Sequence, residues 1–280
     1  MKIIITLFLL IFTNLVALET TLVPYMEQAN YTNSYKNSST INGLYTKFKE
    51  PEYIIELDYE TMSLENNITT IKQTDYTLSY SYFLRDNYQL KTTYHQMSND
   101  ANLSSSAKVY LLGVKYFKRN SFNLGLDISY SSYDKTALAT EIYQLTPSLA
   151  INFGDYKSTM GKYIVKVETN IIYPKSIDTN NTNVKDCASY TISLTQFKGD
   201  FINKVSFYTG EEIFAVKDNG FSINNYNELY TSGYALSTRY SIYEDLGIFL
   251  SYKRDNFTEI ETNNKSKIQR YLLLLDYTIK

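Results

Sequence analysis

Few residues of this chain could do covalent chemistry. The one histidine, His95, is followed by Ser98 and Asn99, which together offer a base, a nucleophile and an orienting group. In an extended strand a face is shared at every second residue, and the position two beyond His95 is Met97. The one cysteine, Cys187, has no partner for an internal disulfide, and a single Cys far from a single His makes no zinc site. No metal-ligand spacing and no phosphate-binding glycine pattern occurs, so neither metal nor cofactor is expected. Charge with period two is the richer feature. Glu56, Asp58 and Glu60 form an acidic ladder, and Arg239, Lys253, Arg270 and Asp276 lie near the end of the chain. Lys91, Lys115, Lys166, Lys204, Asp127 and Glu168 add mixed charge between them. Such side chains, gathered on one surface, orient polar solutes rather than break bonds.

The elements that carry these charges alternate with period two, as half-buried strands do. Twelve runs are strand candidates: residues 53–62, 75–84, 88–96, 108–118, 122–130, 143–153, 163–173, 189–195, 201–210 (ambiguous in register), 230–242, 247–254 and 267–280. In the first, Tyr53, Ile55, Leu57 and Tyr59 face away from Ile54, Glu56, Asp58 and Glu60. His95 and the mixed charges fall on the more polar face of their strands, opposite the apolar one. Pro147 interrupts its strand locally, because it cannot donate to a ladder.

Connections alternate as well. Short turns (85–87, 119–120, 198–200, 244–246) and a longer one at 154–161 alternate with polar stretches at 63–74, 97–107, 134–141, 174–186, 211–228 and 255–266. The stretch 211–228 includes Ile213, Phe214, Val216 and Phe221, which predicts a loop that folds inward or packs on the rim. Residues 21–31 and 41–48 can form a further hairpin. Accepting it gives fourteen strands, the preferred count; rejecting it leaves twelve and an N-terminal periplasmic extension or plug. At twelve the acidic ladder would adjoin the basic strands across the closure, and at fourteen two strands intervene.

Aromatic residues test the same reading. The sequence has 29 tyrosines and no tryptophan. Tyr53/Tyr59, Tyr88/Tyr94, Tyr110/Tyr116, Tyr234/Tyr240 and Tyr271/Tyr277 are each six residues apart on an apolar face. That spacing is roughly 20 Å along a strand, suited to a pair of girdles around a thin apolar band. The reading is all-β: a transmembrane, antiparallel, up-and-down barrel.

The N-terminus supplies an address. Lys2, the apolar run 3–12 and small Ala17 predict a signal peptide over 1–17, leaving 18–280 as a single barrel domain. A net charge of −2, from 27 basic and 29 acidic residues, gives no footprint for nucleic acid.

The signal peptide, loop alternation, tyrosine spacing and final amphipathic strand together resemble a Gram-negative outer-membrane β-barrel of porin type. The resemblance implies an outer-membrane location with both termini periplasmic. It implies contact with outer-membrane lipid and lipopolysaccharide, and with the barrel-insertion machinery. It also implies a passive channel for small polar solutes, with no enzymatic activity. Such barrels usually end on an aromatic residue, and this sequence ends Tyr277-Thr278-Ile279-Lys280. In the channel, Glu56, Asp58, Glu60, Asp127, Glu168 and Asp276 would face Lys91, Lys115, Lys166, Arg239, Lys253 and Arg270 across the lumen. The alternative is a narrow barrel whose charges pair and fill it, serving structure or surface binding. A remoter one is an outer-membrane phospholipase. Those enzymes place the serine two residues beyond the histidine, where Met97 stands, and their chemistry must meet lipid, whereas His95 falls on the lumen face.

Overall fold

Period-two alternation becomes backbone pairing almost everywhere it was legible. The computed structural model describes residues 18–100, 106–118, 120–133, 141–175, 185–224, 227–260 and 262–280. The expected signal peptide lies outside these residues, as do parts of the polar loops near 101–105, 134–140 and 176–184.

The strands are β1 (Glu19–Thr32), β2 (Lys36–Lys49), β3 (Tyr53–Asn66), β4 (Thr70–Leu84), β5 (Tyr88–Asn99), β6 (Ala107–Lys118), β7 (Phe122–Tyr133) and β8 (Glu141–Gly154). They continue with β9 (Lys162–Lys175), β10 (Cys187–Lys198), β11 (Phe201–Glu212), β12 (Val216–Lys217), β13 (Ser222–Ile223), β14 (Glu228–Ser241), β15 (Leu246–Glu259) and β16 (Asn264–Ile279). All but β12 and β13 form one closed sheet in sequence order, a fourteen-stranded antiparallel barrel. The last strand closes on the first, with register running from Thr20↔Ile279 to Thr32↔Lys267. The Thr21 and Thr278 hydroxyls meet at 3.1 Å across that seam. The N-terminal hairpin is therefore part of the wall, and the twelve-strand alternative with a plug is excluded.

Several connections are shorter than expected. Between β3 and β4 only 67–69 remain, and between β1 and β2 only 33–35. Pairing continues to Glu65↔Thr70 and Glu259↔Asn264 although the apolar alternation has stopped. The ladder is made by backbone groups, so strands persist where both faces are polar. Asn33 and Asn263 adopt φ of 59° and 56°, the left-handed conformation that a tight turn needs and asparagine tolerates. The prolines have the expected local effect. The β1–β16 register omits Val23 and Pro24, and the β8–β9 register omits Thr146 and Pro147.

Apolar side chains cover the outside of the wall. Leu112, Ile128, Ile192, Phe207 and Leu236 are all exposed, Leu112 at 66%. On this face tyrosine rings of neighbouring strands contact one another, mostly tilted, in two rows. One contains Tyr59–Tyr76, Tyr94–Tyr110 and Tyr252–Tyr271, with ring centroids 5.2, 5.3 and 5.2 Å apart. The other contains Tyr53–Tyr80 at 6.2 Å, Tyr88–Tyr116 at 5.1 Å and Phe201–Tyr240 at 4.8 Å. Tyr234 joins the first row through Tyr252, at 6.0 Å, and Tyr277 lies exposed near the end of β16.

The connection from β11 to β14 turns inward. Ile213, Phe214 and Ala215 are buried against Met97, Ala107, Tyr133, Ile142, Ile172 and Cys187, inner-face residues of β5 to β10. Its middle is the hairpin of β12 and β13, reversed at Asp218-Asn219-Gly220 with positive φ at all three residues. Val216 packs on Val109 and Leu111 of β6.

Candidate functional site

The lumen holds a cavity of about 1080 Å³. Strands β1 to β4 and β14 to β16 line it on one side, β9 to β11 contribute on the other, and residues 217–224 of the inward loop cross it. Of the charges singled out in the sequence, Glu56, Asp58, Glu60, Glu168, Asp276, Lys166, Arg239, Lys253 and Arg270 line this cavity, as does Lys204. Lys91, Lys115 and Asp127 stand where the inward loop meets β5 to β7. Lys91 Nζ lies 3.2 Å from Glu56 and 5.3 Å from the centre of the Phe221 ring. Lys115 Nζ donates to Asn219 Oδ1 at 3.3 Å, and the Asp127 carboxylate lies against Gly113.

The acidic and basic walls are separated by β1 and β2, as fourteen strands require. Each wall is organised mostly within itself. Arg239 on β14 reaches over β15 to Asp276 on β16, with Nε 2.9 Å from Oδ1 and Nη2 2.5 Å from Oδ2. Arg270 and Lys253 both contact Asp255, Lys253 at 3.4 Å, and Arg270 also reaches Glu27 at 3.8 Å. Lys166 pairs with Glu168 on its own strand. On the acidic wall, tyrosine hydroxyls do the work that arginines do opposite. The Tyr25 hydroxyl lies 3.1 Å from Asp58 Oδ2 and 2.8 Å from Glu60 Oε2, and Tyr45 donates to Glu56 at 2.7 Å. Tyr25 and Tyr45 stand on β1 and β2, so phenols span the two intervening strands.

The inward loop is held at its root, middle and tip. Lys217 pairs with Glu212, whose Oε1 also accepts from Ser189 at 2.5 Å and Asn170 at 3.1 Å. Gln144 clamps the Val216 backbone: Nε2 donates to its carbonyl at 2.8 Å, and its N–H donates to Oε1 at 2.9 Å. At the tip, Phe221 meets the Tyr45 ring edge-on at 5.8 Å. Gly220, with φ of 92°, is so close to β5 that an added Cβ would lie 2.9 Å from Thr93 Cγ2.

One pair escaped the sequence pattern altogether. Lys36 and Glu228 meet at 2.5 Å, with side chains 0% and 2% exposed. Tyr230 donates to the same carboxylate at 2.7 Å. Both charged residues sit at even positions, whereas the cavity-lining residues of the same strands on the far side of the register shifts, such as Ser39, Ile41, Ala235 and Ser237, are odd. Register shifts between Lys36 and Ser38, and between Tyr230 and Ser232, turn them inside. Strict alternation places both outside.

His95 is on the inner wall, buried, with Nδ1 2.8 Å from the Thr77 hydroxyl. Ser98 is exposed on the opposite face, so the pair needed for nucleophilic hydrolysis does not assemble.

No protein-family model matches the chain, and no curated protein sequence matches it. Solved structures do resemble it. The outer membrane protein Omp33 of Acinetobacter baumannii superposes with a TM-score of 0.51 at 9% identity, over 93% of this chain and 99% of that one. A deltaS2S3 mutant of the monoaromatic hydrocarbon channel TodX gives 0.59 at 9% identity, over 93% and 90%. The monoaromatic hydrocarbon channel CymD gives 0.54 at 8% identity, over 93% and 88%. At such identities the likeness concerns the fold. The chain has the closed-barrel fold of porin-type outer-membrane proteins.

Proposed function

We propose that this protein is a passive outer-membrane channel for small polar solutes. The observation that carries the reading is the contrast between the two sides of one wall: exposed apolar and tyrosine side chains outside, a charged cavity inside. On this reading the tyrosine rows mark the two lipid–water interfaces, and lipopolysaccharide and phospholipid cover the band between them. Residues 1–17 direct export, residues 18–280 form the single barrel domain, the insertion machinery assembles it, and both termini face the periplasm. Solutes pass between the acidic wall of Glu56, Asp58 and Glu60 and the wall of Arg239, Lys253 and Arg270, with the inward loop narrowing the path. Neither a cofactor nor catalysis enters this reading.

Planar-bilayer recording of the purified protein tests it. Stepwise conductance is expected in the wild type, and Arg239→Ala or Asp58→Asn is expected to alter the conductance or its preference between K⁺ and Cl⁻. A wild type without steps removes the channel reading. One observation favours the second reading, a barrel closed to transport: Lys36 of β2 and Glu228 of β14 reach over the three strands between them and are buried as a pair. A wild type without steps that conducts in the Lys36→Ala variant would support that reading instead.

A further inference from the structure

The acidic wall carries a detail that a general diffusion path does not require. Asp58, Thr77 and His95 form one cross-strand row on β3, β4 and β5, and Glu60 and Asp75 form the next. All but Thr77 line the cavity. Among the described residues, no lysine or arginine pairs with Asp58, Glu60 or Asp75; the nearby Lys91 is engaged by Glu56. The Tyr25 hydroxyl contacts both Asp58 and Glu60, yet it has one proton and serves one carboxylate at a time. Two further groups stand out. His95 Nε2 is buried in a residue 2% exposed and has no hydrogen-bond partner, and the Asp75 carboxyl, in a residue 5% exposed, is within hydrogen-bond reach of the Glu60 carboxyl, two acids side by side with no cation. Buried polar atoms are normally satisfied, and like charges this close repel. A group that brings several donors and a positive charge removes both costs together.

We infer that this wall is a subsite for the ammonium group of a small organic cation. The inference rests on the channel reading and names a class of solute for it. An ammonium can donate to His95 Nε2 and to one carboxyl of the wall while its third N–H faces the open cavity, so it needs no three-sided convergence. In the tautomer in which Nδ1–H donates to the Thr77 hydroxyl, His95 Nε2 is an acceptor, and that is the tautomer the subsite selects. A bare metal ion fits less well, since no three Asp, Glu, His or Cys side chains converge as metal ligands among the described residues.

The test uses the full-length protein in planar phosphatidylcholine bilayers in KCl, with 1,4-diaminobutane added to one side. Wild-type current should fall with diamine concentration, while 1,4-butanediol, uncharged and of similar length, should not reduce it. Asp75→Asn or Asp58→Asn should raise the half-blocking concentration at least about tenfold, the loss expected of one charge-assisted hydrogen bond. His95→Ala should raise it less. Glu60→Gln is a second carboxylate variant if either aspartate variant fails to fold, as judged by heat-modifiable gel mobility. Equal block of wild type and variants overturns the subsite. So does block by Mg²⁺ at the same concentration and with the same loss in the variants, which would assign the wall to inorganic cations. Absence of any steps in KCl is a different result, because it removes the channel reading alone. Calorimetry of the detergent-solubilised protein with 1,4-diaminobutane then decides: heat lost in Asp75→Asn upholds the subsite, and no heat in the wild type removes it.

Discussion

Two parts of the inner wall solve the same problem differently. Strands β5 to β8 turn Met97, Val109, Leu111 and Ile142 inward and cover them with Ile213, Phe214 and Val216 of the loop. Strands β1 to β4 and β14 to β16 turn carboxylates, guanidinium groups and phenols inward and leave space between them. In the first region the barrel is filled as a protein core is filled. In the second it is lined for water. The difference shows that a lumen need not be uniformly polar. An apolar stretch on an inner face is the receptor for a loop, and it determines where in the cross-section the path can run.

The covered wall should give the largest response. Phe214 is fully buried and packs its ring 5.0 Å from that of Tyr133. Phe214→Ala should cost about 3–5 kcal/mol of local packing, part transfer and part cavity. The expected outcome is release of the loop, seen as larger single-channel conductance and faster proteolysis within 213–224. If conductance and protease sensitivity both stay at wild-type values, the loop is not held by the apolar wall and the comparison fails.

The open wall has its own closure, and that is the next test. Lys36→Ala leaves the Glu228 carboxylate buried beside Tyr230 without its cation. Removing one partner of a buried pair should cost about 3 kcal/mol, measured by urea unfolding of the protein in lipid vesicles. The double variant Lys36→Met with Glu228→Gln should recover most of that loss, because no uncompensated charge remains. A single variant as stable as the wild type would mean that water reaches the pair, and that the barrel is open there.

These regions also differ in how far the sequence discloses them. The outer face was legible on most strands, because lipid imposes one rule on every second residue and tyrosine marks its edges; the run 201–210 was ambiguous in register. The N-terminal hairpin was legible only as an option, since parity admits twelve strands as readily as fourteen; the pairing of β1 with β16 decides it. The inward loop was visible as apolar residues, Ile213 to Phe221, in a polar connection. Alternation could not reach the strand ends beyond the band, such as Glu65 and Thr70, where pairing continues without an apolar face. Nor could it find Lys36 and Glu228, since a single bulge reverses the side on which a residue stands. The acidic ladder on β3 was plain from period two. Its phenol partners Tyr25 and Tyr45 were not, because they depend on how deeply a ring reaches across neighbouring strands.

The smallest expected effect concerns the join between the two regions. Gln144 on β8 contributes no charge and no apolar surface, yet it makes both hydrogen bonds of a strand partner to Val216, the residue at which the loop leaves the apolar cluster for the cavity. Its amide also donates to Thr146 at 2.9 Å, so its orientation is fixed from the wall. Gln144→Ala removes both bonds and should cost about 1–2 kcal/mol. Since Phe214 still anchors the loop, the whole segment should stay seated and the mean conductance should change little. What should change is the hairpin beyond Val216, which carries Lys217 and Phe221 into the path. The expected result is excess current noise at wild-type mean conductance. If Gln144→Ala instead reproduces the conductance of Phe214→Ala, the clamp rather than the apolar cluster seats the loop, and hydrogen bonding must be given the larger share in the covered wall.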